Sequence, residues 1–253
     1  MKHLFSLLIF FSIASVLSAQ QKNSASNKWR VSVKPYLMFP KMKGTTGIGE
    51  LPDADIDADA ADIFHKLKMG AMLYFEVGND KWAFGSDIIY MKLKQEVSSS
   101  RLVNSGNVTA KQFAWELTAL RRITPWLEVG IGGLLNSLNM HVDLNTNNVG
   151  GGVTNRSRAI SKTWVDPMLI ARVRNKNDVK FLYNIQGEIG GFGIGSEFAW
   201  QVQAYAGYRF SKLFQLTGGY RFIGINYDTG EGADRFKYDM DTFGPVLRLG
   251  FDF

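Results

Sequence analysis

The sequence predicts an all-β fold, an up-and-down antiparallel transmembrane β-barrel of about ten strands, with eight or twelve as the alternatives. Three observations predict it. Apolar and polar residues alternate with period two over runs longer than the usual strand of about five or six residues. The connectors between these runs are alternately short and long, the pattern of tight turns at one rim of a barrel and loops at the other. The apolar face of the clearest run carries aromatic residues at both ends, Phe198 and Trp200 at one and Tyr208 and Phe210 at the other, as interfacial girdles do.

Composition agrees. With 45% hydrophobic and 13% aromatic residues, the chain is too apolar to be disordered. The 26 Gly against 6 Pro suit strands joined by tight turns. The absence of cysteine excludes a disulfide scaffold, a thiolate metal site, a Cys nucleophile and a lipid-modified N-terminal Cys. The formal charge of +6 comes from interspersed rather than blocked side chains, so no nucleic-acid partner is expected.

The elements follow in order. Lys2 and His3, the apolar run 4–17 and the small residues Ser18 and Ala19 have the order of a secretory signal peptide, assigned to 1–19. The run is too short to be a spanning helix, which needs about 20 apolar residues. Leu17 is larger than the usual residue three before a cut, which leaves the cleavage point near Ala19 approximate. Residues 20–28 form a short linker, and 29–253 the barrel. Its strands are expected at 29–39, 68–78, 81–97, 107–122, 125–142, 158–174, 178–192, 196–210, 214–228 and 236–253. The connectors at 79–80, 123–124, 175–177 and 211–212 are short. Those at 40–67, 98–106, 143–157 and 229–235 are longer, only 193–195 among that set is short, and 145–157 reads as an exposed flexible loop. An even strand number puts both termini at the tight-turn rim.

Period two also says which side faces out. Phe198, Trp200, Val202, Ala204, Ala206, Tyr208 and Phe210 share one face, and Phe243, Pro245, Leu247, Leu249, Phe251 and Phe253 another. A soluble ligand-binding barrel would bury such faces, whereas a membrane barrel turns them to lipid. The opposite faces mix Glu76, Asp87, Glu116, Glu128, Asp166 and Glu188 with Arg122, Arg172, Arg209, Arg221 and Arg248. Isolated charges in a narrow lumen are costly, so this set is expected to pair across strands as a lumen charge network.

The terminal pattern Leu247, Leu249, Phe251, Phe253 at every second position resembles the C-terminal assembly signal of Gram-negative outer-membrane β-barrel proteins. The resemblance implies a Gram-negative outer-membrane location, contact with outer-membrane lipid, and delivery to the barrel-assembly machinery through Phe253. Scattered positions over most of the mature chain resemble, more narrowly, a family of small, largely uncharacterised outer-membrane proteins. They include Trp29, Tyr36, Pro40, Gly44, Gly47, Asp55, Ile56, Asp57, Asp62, Leu67, Gly70, Glu76, Trp82, Asp87, Tyr90 and Trp164-Val165-Asp166-Pro167. That likeness implies fold and location but no activity and no functional residues.

Two segments are candidates for chemistry. In the long acidic loop 40–67, Asp53, Asp55, Asp57, Asp59 and Asp62 offer oxygen ligands to a hard cation, or acidic charge to a plug folded into the lumen. An EF-hand frame fails, because the sixth position from Asp53 is Ala58 and the twelfth is Phe64. The favoured reading is an acidic β-segment followed by a short helix capped by Asp59, with Ile63, Phe64 and Leu67 on its apolar side. Second, His141 and Asp143 share a strand face with Ser137, the residue types of a hydrolase. His65, alone on the short helix, reads as a surface residue. The expected function is an integral outer-membrane barrel, either a narrow pore for ions and small solutes or a closed structural or surface-interaction barrel. The alternatives are an outer-membrane hydrolase with a rim site around His141 and a soluble periplasmic ligand-binding barrel. No enzyme activity, cofactor or metal is expected.

Overall fold

The computed structural model describes residues 28–50, 52–97, 103–147, 153–175 and 179–253. The expected signal segment 1–19 and most of the linker lie outside them. The elements are β1 (Arg30–Met38), β2 (Lys41–Ile48), β3 (Ala54–Ala58), α1 (Ala60–Lys66), β4 (Leu67–Gly78), β5 (Trp82–Val97) and β6 (Val103–Arg122). They continue with β7 (Leu127–Asn147), β8 (Val153–Arg174), β9 (Phe181–Gly191), β10 (Phe198–Arg209), β11 (Phe214–Thr229) and β12 (Phe236–Asp252). β4 to β12 pair in sequence order, and β1 joins β4 on one side and β12 on the other. The result is a closed antiparallel up-and-down barrel of ten strands. At the seam, the Val31 amide donates to the Phe253 carbonyl at 3.1 Å and the Phe253 amide returns to Val31 at 2.8 Å. The two ends of the barrel sequence therefore meet at the tight-turn rim.

The expected strand centres hold, but three connectors contain more structure than their composition announced. The region 40–67 is not one loop. β2 runs on beside β12 from Lys41↔Phe243 to Ile48↔Phe236, so β1 and β2 act as one long strand broken at Phe39-Pro40. Proline has no N–H for the ladder, which explains the break. β3 then folds back on β2, from Met42↔Ala58 to Thr46↔Ala54. Strand also takes up 103–106, 143–147 and 153–157, because β6, β7 and β8 are 20, 21 and 22 residues long; residues 98–102 lie outside the description. The expectation of a flexible loop over 145–157 is corrected accordingly. Residues 148–152 lie outside the description.

The low side of the barrel has its own local cause. β9 pairs with β8 only from Arg174↔Asn184 to Met168↔Gly190. Pro167 follows, again without an N–H to give. Gly191, Phe192 and Gly193 then take left-handed backbone angles, φ +82°, +52° and +73°, and turn the chain into β10. Glycine takes that conformation at little steric cost. Phe192 does not, and it is exposed there.

The sides are inside out for a soluble protein. Ile131, Leu169, Phe181, Ile185, Val202, Leu247 and Leu249 are exposed, whereas Glu76, Asp87, Glu128, Arg172 and Arg221 are buried. An exterior of this kind fits hydrocarbon, and closure leaves no unpaired edge at that level. Aromatic rings gather near the tight-turn rim, as in Trp82–Phe84 with centroids 6.1 Å apart and Phe210–Phe214 at 5.7 Å.

Further toward the loop end the chemistry reverses without a change of parity. Outward positions on β6 to β8 become Lys111, Ser137, Asn139, His141 and Thr163. Their inward neighbours become Ala110, Leu138, Met140 and Ile160. Here the outer surface meets water, so the apolar residues turn to the interior.

Candidate functional site

The lumen is filled in layers by side chains from the wall. Nearest the loop end is an apolar cluster of Trp164, Ile225, Phe236, Tyr238 and Met240, with Met42, Ile48, Ile56, Leu138 and Ile160 against it. Trp164 stacks on Tyr227 with centroids 4.0 Å apart and planes 6° from parallel. The β2–β3 hairpin contributes Ile56 to this seal, since Ile56 is paired with Gly44 and Gly44 with Met240, all on one face.

Below the seal, Asp166 is fully buried. Its carboxylate accepts from the Ser196 amide at 2.5 Å, the Ser196 hydroxyl at 2.9 Å, Trp164 Nε1 at 3.0 Å and Asn136 Nδ2 at 3.3 Å. Four donors replace the water a carboxylate loses on burial. They also fasten the β9–β10 turn to β8 where the ladder between β8 and β9 stops.

The middle layer bridges the barrel. Arg221 on β11 donates to Asp87 Oδ2 on β5 at 2.9 Å, to the Tyr36 hydroxyl at 2.9 Å, and through Nε to Gln201 Oε1 at 2.9 Å. Tyr36 donates to the other Asp87 oxygen at 2.7 Å. Glu188 accepts from Gln186 and Gln201, each at 2.7 Å, and Glu116 lies beside it. Arg248 is caged by aromatic rings, with its guanidinium 3.8 Å from the Tyr205 centroid, 5.0 Å from Tyr36 and 5.3 Å from Tyr74. Cation–π attraction of this kind strengthens when the charge is desolvated.

Nearer the tight-turn rim, Glu76 on β4 and Glu128 on β7 share two arginines. Arg172 reaches Glu76 at 2.5 Å and Glu128 at 2.6 Å, and Arg174 reaches them at 2.6 and 2.8 Å. Arg122 adds a contact to Glu128 at 2.8 Å. β4 and β8 lie on nearly opposite walls of the ten-strand ring, so the bonds to Glu76 cross the lumen, while those to Glu128 join neighbouring strands. At the rim itself, Arg209 pairs with Asp252 at 2.9 Å.

All eleven charged residues named from sequence thus point inward. Sequence reasoning missed Arg174, Tyr36, Tyr74, Tyr205, Gln201, Gln203, Asn136 and Ser196 as members of the same networks. Parity was the signal available for most of them. Arg174 follows Arg172 by two, and Gln201 and Gln203 alternate with the lipid-facing residues of β10. Parity does not reach Ser196, which lies in a turn.

The five aspartates of 40–67 do not converge. Asp53 pairs with Arg235 at 2.7 Å and Lys237 at 3.4 Å, Asp55 accepts from Thr45 at 3.2 Å, and Asp57 pairs with Lys41 at 3.1 Å. Asp59 caps α1, accepting from the Asp62 amide at 2.9 Å, while Asp62 accepts from the Asp59 amide at 3.4 Å. Ile63 is the buried residue of that helix, and Phe64 packs on Phe39 at 5.5 Å. Among the described residues no cluster of three or more His, Asp or Glu side chains could hold a metal ion. Nor do the acidic residues enter the lumen, for Asp55 and Asp57 lie on the hairpin face opposite Ile56. Burial of Ile56 decides that orientation. The hydrogen bonds from Arg235, followed by the charges of Arg235 and Lys237, hold the Asp53 carboxyl below the ordinary carboxylate range.

His141 Nε2 and Asp143 Oδ2 are 3.0 Å apart on the outer wall. Ser137 is engaged instead with Thr163 at 2.9 Å and Asn139 at 3.4 Å. It lies four residues down the strand, about 13 Å away, so the three do not form a nucleophile–base pair.

Comparison with solved structures returns membrane barrels at very low sequence identity. The outer membrane protease OmpT from Escherichia coli is 8% identical, with a TM-score of 0.47, and the match covers 92% of this chain and 99% of that one. Ail, the attachment invasion locus protein of Yersinia pestis, is 11% identical with a TM-score of 0.34 over 90% and 99%. The Pseudomonas putida toluene transporter TodX is 8% identical with a TM-score of 0.34 over 91% of each chain. No family model matches, and no curated protein matches. Likeness this distant carries no argument about activity. The chain's own pairing and inverted polarity identify it as a β-barrel of the outer-membrane type.

Proposed function

We propose that this protein is an integral barrel of the Gram-negative outer membrane that is closed to solutes and acts through the structure and surface it presents. One observation carries this reading: Arg172–Glu76 and Arg221–Asp87 tie opposite walls together inside the lumen. Ten strands leave little room between the walls, and side chains joined across that room obstruct passage. The apolar cluster around Trp164 obstructs it a second time. The tight-turn rim is read as periplasmic, because short turns lie on that side in barrels of this type. The tall wall of β6 to β8 then stands on the cell surface. Exposed Phe253 at the chain end supports recognition by the barrel-assembly machinery.

The test is single-channel recording from refolded, detergent-purified protein in a planar bilayer. Silence from protein shown to be folded is expected. Discrete steps in symmetric salt would overturn the closed barrel in favour of a narrow pore, and their reversal potential in a salt gradient would identify the ion that passes.

A further inference from the structure

A small cavity of about 60 Å³ lies at the tight-turn end of the lumen. Lys34, Arg174, Arg209 and Arg248 line it against only Glu76 and Asp252. Both carboxylates are already committed. Glu76 is shared by Arg172 and Arg174. Asp252 accepts from Arg209 at 2.9 Å, from Gln215 at 2.6 Å and from Ser32. Among the described residues Lys34 and Arg248 have no carboxylate within ion-pair distance: the Lys34 ammonium lies 5.8 Å from the Tyr74 centroid, and Arg248 donates through Nη2 to Gln203 Oε1 at 3.2 Å. Arg248 is 4% exposed, and its Nε has no hydrogen-bond partner; the Nε of Arg209 has none either. Stacking on Tyr205 at 3.8 Å holds the Arg248 guanidinium flat and in place. An orphaned buried donor of this kind is costly unless something accepts from it.

We propose that this cavity is a binding site for a small oxyanion of the phosphate type. Two cations without a carboxylate of their own supply the charge, and the orphaned Nε groups supply directed donors. The volume matches, since a water occupies roughly 10–15 Å³ on this measure and the cavity holds about four such positions. Arginine presents planar donors suited to oxyanions, and Lys34 adds a point charge. The ligand carries its phosphoryl group either as the free ion or on a small organic stem. The site is independent of whether the barrel conducts.

Isothermal titration of refolded full-length protein in nonionic detergent tests the site, with chloride holding the ionic strength constant. Inorganic phosphate and glycerol 3-phosphate are titrated separately, and circular dichroism verifies each fold. Saturable binding near one per chain is expected. Lys34→Gln and Arg248→Gln should each weaken it about tenfold, the loss of one charge-assisted contact. Thr217→Phe keeps every cation but fills the cavity, and should abolish binding. Binding of both probes supports the site with the free ion as a ligand; binding of glycerol 3-phosphate alone supports it with an organic phosphate as the ligand. The proposal is overturned if folded wild type binds neither probe, if equimolar chloride displaces phosphate, or if Thr217→Phe binds unchanged.

Discussion

Asp166 shows how much can depend on one side chain. It is a buried carboxylate satisfied by neutral donors from β7, β8 and the β9–β10 turn. Asp166→Ala strands the Ser196 amide and hydroxyl and the Asn136 amide together, while the Trp164 indole keeps the Ser196 hydroxyl as acceptor at 2.9 Å. Each buried orphan costs about 1–3 kcal/mol, so a loss of about 3 kcal/mol or more is expected, read as a lower midpoint in denaturant unfolding of the detergent-folded protein. An unchanged midpoint would show that these donors find other acceptors. The sequence displayed Asp166 between a tryptophan and a proline, and alternation correctly turned it inward. It did not display Ser196, which lies 30 residues away in a Gly-rich turn where alternation has ended. The same limit applies to the ion pairs. Period two says which charges share the lumen, but pairing depends on height and on which walls face each other, and both are set by the closed ring.

At the scale of elements, the strands were legible wherever lipid and lumen imposed opposite demands on neighbouring residues. They became hard to read above the lipid, where the demands exchange sides. On β7 the outward Leu135 gives way to Ser137, Asn139 and His141, while inward Leu138 and Met140 replace Glu128 and the glycines. A run that swaps its apolar face reads as the end of a strand. Region 40–67 was harder still. Its aspartates suggest a ligand cluster or a plug, yet Asp53, Asp55 and Asp57 each answer a neighbour on the wall, and the residue that enters the lumen is Ile56. The consequence is testable. Deleting residues 48–66 removes part of the apolar seal but none of the bridges near Glu76 and Asp87. Bilayer recordings of the folded deletion variant are therefore expected to stay silent. Steps with wild type silent would show that this segment alone closes the lumen.

For the whole molecule, closure and stability rest on the same bonds. Arg172→Ser with Arg221→Ser cuts two of the cross-lumen bridges, leaving Arg174–Glu76, and removes side-chain volume from the lumen. If the layers act as proposed, the double variant gives discrete conductance steps where wild type gives none, and it unfolds at lower denaturant because Asp87 stays buried without its arginine, a penalty of about 3–5 kcal/mol, while Glu76 and Glu128 keep Arg174. A silent, folded double variant would place the barrier at the apolar cluster or at the remaining Arg174–Glu76 bridge. The unequal wall has a separate consequence. β6, β7 and β8 are 20, 21 and 22 residues long and β9 and β10 are 11 and 12, a difference of about 10 residues or roughly 30 Å along the strand. The molecule therefore has a front and a back. A neighbour drifting in the bilayer toward β9 and β10 meets a hydrocarbon surface with Phe192 and Ile194 at its crest. One arriving at β6 to β8 meets the same hydrocarbon surface below and a palisade of hydroxyl, amide and imidazole groups above. Rotation about the membrane normal, which would be featureless for an even cylinder, becomes a coordinate that neighbours can distinguish.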